Sequence, residues 1–282
     1  MRPGVAAIRK RQFRSGLALF LCLLAAACSG GEAPGADPGR GSPPVADSCR
    51  AAPDTLQRRA VTAVVDGDTL RLAGGDKLRL VGVNTREIGR DGRPDEPLAR
   101  AARTALEEIL GPDGAVWLRA AEDSRDRYDR LLAYAFDARG HSVAQQLIAR
   151  GLGFHVAIAP NLALADCLRA AEHAARAQGL GVWADRPLAI AELPPEAGGF
   201  YLIRDRVTRV SFKDNGWWVQ LGGKLGVKIG EDDQARFSRR QLQALEGATV
   251  EVRGWLVPMR GAWWMLNLDH PSMLQPQSVA GQ

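Results

Sequence analysis

The stretch from Val61 to Glu87 reads VTAVVDGDTLRLAGGDKLRLVGVNTRE, and its punctuation decides the fold. Short apolar runs at Val61 to Val65, Leu70 with Leu72, and Leu78 with Leu80 are separated by Asp66-Gly67 and by Gly74-Gly75-Asp76. Alternating runs broken by turn residues predict a three-stranded meander. A hairpin turning at 74–76 pairs positions whose numbers sum to roughly 149–151, which sets Asp68 opposite residues 81–83, one step from Asn84, Thr85 and Glu87. Oxygen-bearing groups then converge at one end of the hairpin, as a hard divalent cation requires. Arg79 stands on the opposite strand face from Leu78 and Leu80, where its partner is a carboxylate or a phosphate.

Outward from this stretch, a helix is expected from Pro97 to about Leu110, with Leu98, Ala102, Ala105, Leu106 and Ile109 on its apolar face. Strands follow near 115–120 and 131–137, then helices over about 142–150 and 162–178. Five strands with interposed helices predict a mixed α+β unit, a small OB-type barrel capped by helices, over residues 58–188. Pro187, Pro194, Pro195 and Gly198-Gly199 mark a boundary. Beyond it, three strands, a helix and two more strands predict a second, smaller OB-like barrel over 198–276. Its tryptophans, Trp217-Trp218, Trp255 and Trp263-Trp264, lie near Arg204, Arg206 and Arg253. Such a set serves either as barrel core or as a stacking platform for single strands.

Residues 1–27 read as a signal: basic residues to Arg14, an apolar run from Leu17, and Ala25-Ala26-Ala27 before Cys28. The run is too short to span a bilayer as a mature helix. The ending resembles a lipoprotein signal, with Cys28 as the acylated mature N-terminus; an ordinary secretory signal is the alternative. A Gly/Pro/Ala/Ser-rich tether is expected over 28–57. The leader also accounts for the net charge of +5, because 37 Lys+Arg less its five basic residues leaves 32, equal to the 32 Asp+Glu. Global basicity is therefore no argument for a polyanion partner. With Cys22 in the leader and Cys28 acylated, Cys49 and Cys167 remain, either as a disulfide in an oxidising compartment or with Cys167 as a small buried residue.

Four clusters occur in fixed order: Asp66-Gly67-Asp68-Thr69; Arg79-Leu80 running to Thr85-Arg86-Glu87; Asp126-Arg127-Tyr128-Asp129-Arg130-Leu131-Leu132-Ala133-Tyr134; and Trp183. Singly, each has a structural explanation: a hairpin turn, a loop acid, a solvated ion-pair patch, a packed indole. Together they resemble the staphylococcal-nuclease (thermonuclease) family over about residues 60–185. The resemblance implies that Asp68 binds Ca2+ through its carboxylate and Thr85 through its backbone carbonyl, with Asn84 offering an amide oxygen. It implies that Glu87 orients or deprotonates the attacking water, that Arg79 and Arg130 grip the scissile phosphate, and that Tyr128 lies beside the nucleotide. The implied reaction is hydrolysis of DNA or RNA phosphodiesters, leaving 3′-phosphates.

Four departures from that pattern stand out. Asn84 stands in place of an aspartate, Arg86 in place of a proline, and Asp129, which could compete for Arg130, in place of a small residue. Val156, Ala157 and Ile158 fall where nucleotide-stacking tyrosines are expected. The functional expectation is a monomeric, calcium-dependent nuclease of the cell envelope, anchored to a membrane by its N-terminal lipid. The alternatives are a catalytically weak nucleic-acid-binding lipoprotein and a structural envelope protein.

Overall fold

The computed structural model describes residues 49–261 and 263–277; the leader, Cys28 and the expected tether as far as residue 48 lie outside the described residues. The end of that tether is part of the domain. Cys49 is fully buried and bonded to Cys167, 118 positions away, with a Cα–Cα distance of 5.7 Å. Arg50 bridges His141, and the first strand begins at Gln57. Closing a loop of that length stabilises the fold by about 4–5 kcal/mol at most.

The first barrel is built from β1 (Gln57–Val64), β2 (Thr69–Leu72), β3 (Lys77–Leu80), β5 (Ala115–Arg125) and β6 (Leu131–Phe136). They close in the order β1-β2-β3-β6-β5, with β3 and β6 parallel and the other pairs antiparallel. The short β4 (Val83–Thr85) leaves the barrel and pairs with β7 (Gly153–His155). Three helices complete the unit: α1 (Ala99–Leu110), α2 (Val143–Ala149) and α3 (Ala165–Ala177). Leu70, Leu72, Leu78, Leu80, Leu106 and Phe136 fill the core, each inward by the two-residue strand period or the helical stripe.

Two expectations need correction. The β2–β3 register pairs Thr69 with Arg79 and Leu70 with Leu78, sums of 148, because the turn closes tightly with Leu72 N–H donating to Asp76 O. Asp68 therefore faces Leu80, whose N–H donates to its carbonyl at 2.9 Å, and not residues 81–83. Leu98, placed on the buried face of α1, is instead the exposed residue before the helix at φ 71°; Ala99 and Leu110 are buried.

The second barrel repeats the first topology. Its strands are β8 (Gly199–Lys213), β9 (Gly216–Leu221), β10 (Leu225–Ile229), β11 (Thr249–Met259) and β12 (Trp263–Asn267). β10 and β12 are parallel, β11 pairs with both β8 and β12 to close the barrel, and β13 (Leu274–Pro276) pairs antiparallel with the start of β11. A one-turn helix, α4 (Arg239–Gln243), sits between the third and fourth barrel strands with Ser238 as its N-cap. Trp217 and Trp264 are core, whereas Trp255 and Trp263 are exposed.

β11 also joins the two barrels. Val250, Val252 and Leu256 point into its own core. The alternate residues point out: Glu251 takes a bidentate pair from Arg176 of α3 and a further contact from Arg204, and Arg253 meets Glu172 of α3 at 2.6 Å. Arg204 and Arg253 are thus committed to carboxylates. Phe200 of β8 packs on Phe154 of β7 at 5.3 Å between ring centroids, and Phe154 meets the edge of Trp183.

Candidate active site

Between β1 and β2 the chain turns so closely that a Cβ on Gly67 would lie 2.6 Å from Ala102 Cβ and 2.7 Å from Thr85 Oγ1. Only glycine admits that approach of α1 and β4. It leaves Asp66 and Asp68 buried side by side, with Asp68 N–H donating to Asp66 Oδ1. Asp68 Oδ2 accepts from Thr85 N–H at 2.8 Å and from Thr85 Oγ1 at 3.1 Å, tying the β1–β2 turn to β4. Burial and then the charge of Asp68 raise the Asp66 pKa, and Arg90 approaches Asp66 from the rim at 3.6 Å.

A second glycine sets the opposite wall. Gly82, at φ +88° and with Leu168 crowding the space of a Cβ, swings the chain from β3 into β4. The turn wraps the Arg79 guanidinium. Nη1 donates to Leu80 O at 2.8 Å and Val83 O at 2.7 Å, while Nη2 donates to Asn84 Oδ1 at 2.9 Å and lies 3.3 Å from Asp68 Oδ2. An arginine has five N–H groups. Three are spent here and a fourth faces Asp68, which leaves Nε as the N–H group of Arg79 not engaged by these acceptors.

Asn84 also differs from its expected role. Its oxygen faces Arg79 and its Nδ2 donates to Thr85 O at 3.3 Å. Reversing the amide would set a donor against the guanidinium, so the network fixes the orientation. The side chain positions Arg79 and covers the Thr85 carbonyl; it is not presented as a cation ligand.

Glu87 lies exposed on the wall of a cavity of about 520 Å³ that it shares with Asp66, Asn84, Thr85, Arg90 and Arg130. Withdrawal of water by the surrounding loop, and then the charges of Asp68 and Asp66, raise its pKa to about 7. The loop is held by reciprocal contacts: Glu87 N–H to Glu96 Oε2, and Glu96 N–H to Glu87 O. Arg86 places its guanidinium over the Phe154 ring at 5.4 Å and lies 3.9 Å from Glu96.

Arg130 comes from the β5–β6 turn. Its Nε donates to Asp126 Oδ2 at 2.7 Å, and neither Nη group has a hydrogen-bond acceptor among the described residues. Burial opposes ionisation of Asp126, but the hydrogen bonds from Arg130 outweigh it and hold that carboxyl below the usual range. The expected competitor, Asp129, pairs instead with Arg125, because at φ 60° its side chain turns away. Tyr128 is 65% exposed and carries Arg127 and Arg130 over its ring at 4.8 and 5.5 Å. It borders neither cavity in which Arg130 takes part.

The donors fit a hard cation in kind: the carboxylates of Asp66 and Asp68 and the carbonyl of Thr85 are oxygens, and burial first, then the neighbouring carboxylate charges, raise the Asp66 and Glu87 pKa values. Among the described residues, no group of three or more His, Cys, Asp or Glu side chains is spaced to hold a metal ion. Sequence reasoning missed Asp66, taken as a turn residue, together with Arg90. It also missed Gly198, Gly199 and Phe200 of the second barrel, which line the same cavity.

Two buried carboxylates, a carboxyl whose pKa is raised to about 7 and two arginines thus gather at one end of a closed five-stranded barrel. Residues 77–185 match the family model described as staphylococcal nuclease homologue, and the chain carries a domain of that nuclease family. The match covers β3 to Trp183; Asp66 and Asp68 precede it in the same barrel, and the second barrel follows it. No curated protein matches the chain.

Proposed function

We propose that the protein hydrolyses phosphodiester bonds of DNA or RNA, with Glu87 as the base toward water and Arg79 and Arg130 on the phosphate. The observation that carries this reading is the pairing of Glu87, with its pKa raised to about 7, and the free Nη fork of Arg130 on one cavity. A general base works best with a pKa near the operating pH. Arg130 supplies two N–H groups to the non-bridging oxygens, where charge gathers in the transition state. Arg79, fixed by Asn84 and the β3–β4 turn, adds a second cationic edge without having to be ordered on binding. Asp68, Asp66 and the Thr85 carbonyl would hold a calcium ion, which supplies positive charge to the phosphate oxygens. Secretion and attachment to a membrane through acylated Cys28 belong to the same proposal and rest on the leader's pattern.

The binding-module reading draws on one observation, the commitment of both Arg79 Nη groups to protein acceptors. Incubation of plasmid DNA, a single-stranded oligonucleotide and RNA with calcium or with chelator tests the two. Hydrolysis with calcium and none with chelator is expected; retention of all three substrates intact while bound would favour the module.

A further inference from the structure

We propose that Trp255, from the second barrel, stacks on the nucleobase next to the phosphate held by Arg130, so that the C-terminal barrel completes the substrate site of the first. This rests on the reading of the cleft as a nucleic-acid site. Trp255 follows Glu251 and Arg253 in the outward row of β11. The first two are fixed to α3 by ion pairs, so the third is carried to a set place over the first barrel. There it borders a recess of about 180 Å³ with Arg79, Arg130, Asp126, Val156 and Ile158.

Arg130 lines both this recess and the larger cavity that contains Glu87, so a phosphate on its Nη groups has a nucleoside within reach of the recess. Drug-sized pockets run from roughly 300 to 1,000 Å³, and this one suits a single ring system. Its mouth is apolar: Trp255 is 40% and Ile158 42% exposed. Packing does not cover the indole. Instead the ring is braced edge-on by Phe200 at 5.1 Å and 72°, in a file running through Phe154 to Trp183, and much of its surface is left to solvent. A braced aromatic beside arginines is the arrangement that holds unpaired bases, and the face it needs is hidden in a duplex. The ligand class is therefore a single-stranded segment or frayed end.

The test compares octathymidylate with an abasic strand of equal length, using the full-length chain, with affinities measured in chelator and cleavage in calcium at fixed ionic strength. Trp255→Ala and Trp255→Leu should each weaken octathymidylate binding by about 10-fold or more and raise KM with little change in kcat. Neither should alter binding of the abasic strand. Trp255→Phe, which keeps a ring, should retain most of the affinity and guards against a variant that merely misfolds. Trp263→Ala, an exposed indole bordering a different cavity, should match wild type. Unchanged octathymidylate affinity in Trp255→Ala and Trp255→Leu, or an equal loss on both strands, overturns the proposal. If wild type binds with this base dependence but cleaves nothing, the stacking assignment stands and the catalytic reading alone fails.

Discussion

Arg253→Ala tests whether the second barrel buttresses the first. Arg253 Nη1 lies 2.6 Å from Glu172 Oε2, with the two side chains 4% and 2% exposed. Glu172 Oε1 accepts from His155 N–H at 2.7 Å, and His155 belongs to β7, the partner of the strand carrying Asn84 and Thr85. Removing the guanidinium leaves a carboxylate buried without its cation, a cost of about 3–5 kcal/mol. At about 2–4 °C per kcal/mol for a unit of this size, Tm should fall by roughly 6–20 °C. The exposed pair Arg103–Glu107 on α1 is an internal control; breaking it should cost about 0.3–0.5 kcal/mol. Arg253→Met restores bulk but not charge and should rescue little, whereas Arg253→Lys should rescue part. The assay is thermal denaturation of the full chain at pH 7. A Tm within about 2 °C of wild type for Arg253→Ala, or full recovery in Arg253→Met, would refute the reasoning.

Three further outcomes are expected. Because a raised carboxyl pKa means that the folded state holds the proton more tightly, kcat/KM at low calcium should fall as pH drops through about 7. Stability should meanwhile decline as pH rises from the unfolded-state carboxylate pKa toward 7, and Glu87→Gln should flatten that slope. Asn84→Asp replaces the donor that covers the Thr85 carbonyl with an acceptor and should lower the calcium concentration for half-maximal cleavage, read from a titration of initial rates. Cys28→Ala should abolish incorporation of a palmitate analogue in cells; persistent labelling would remove the lipoprotein proposal.

Much of the fold was legible because strands and turn residues alternate plainly. Leu70, Leu72, Leu78 and Leu80 are inward as their period requires, and the order of elements in each barrel follows from the apolar runs and glycines. What was missed was short or non-local. β7 is three residues long, and the β2–β3 register turned on how tightly Leu72 and Asp76 close the turn. The site residues were visible as types, but their engagements were not. Nothing in the order of residues says that Asn84 faces Arg79, or that Asp126 rather than Asp129 holds Arg130. Glu251 and Arg253 of the outward row find partners on α3, and Trp255 borders a recess lined by first-barrel residues, which a period-two pattern cannot reveal.

The central claim is that Glu87 is the base of a hydrolytic site, and the most direct measurement is the initial cleavage rate of one single-stranded oligonucleotide by wild type and Glu87→Gln. Both are followed across a calcium titration at fixed ionic strength, with affinity measured in parallel because binding itself depends on salt. The account predicts a loss of turnover on the order of 100-fold or more in Glu87→Gln with affinity nearly unchanged. Equal rates for the two proteins at every calcium concentration would contradict it.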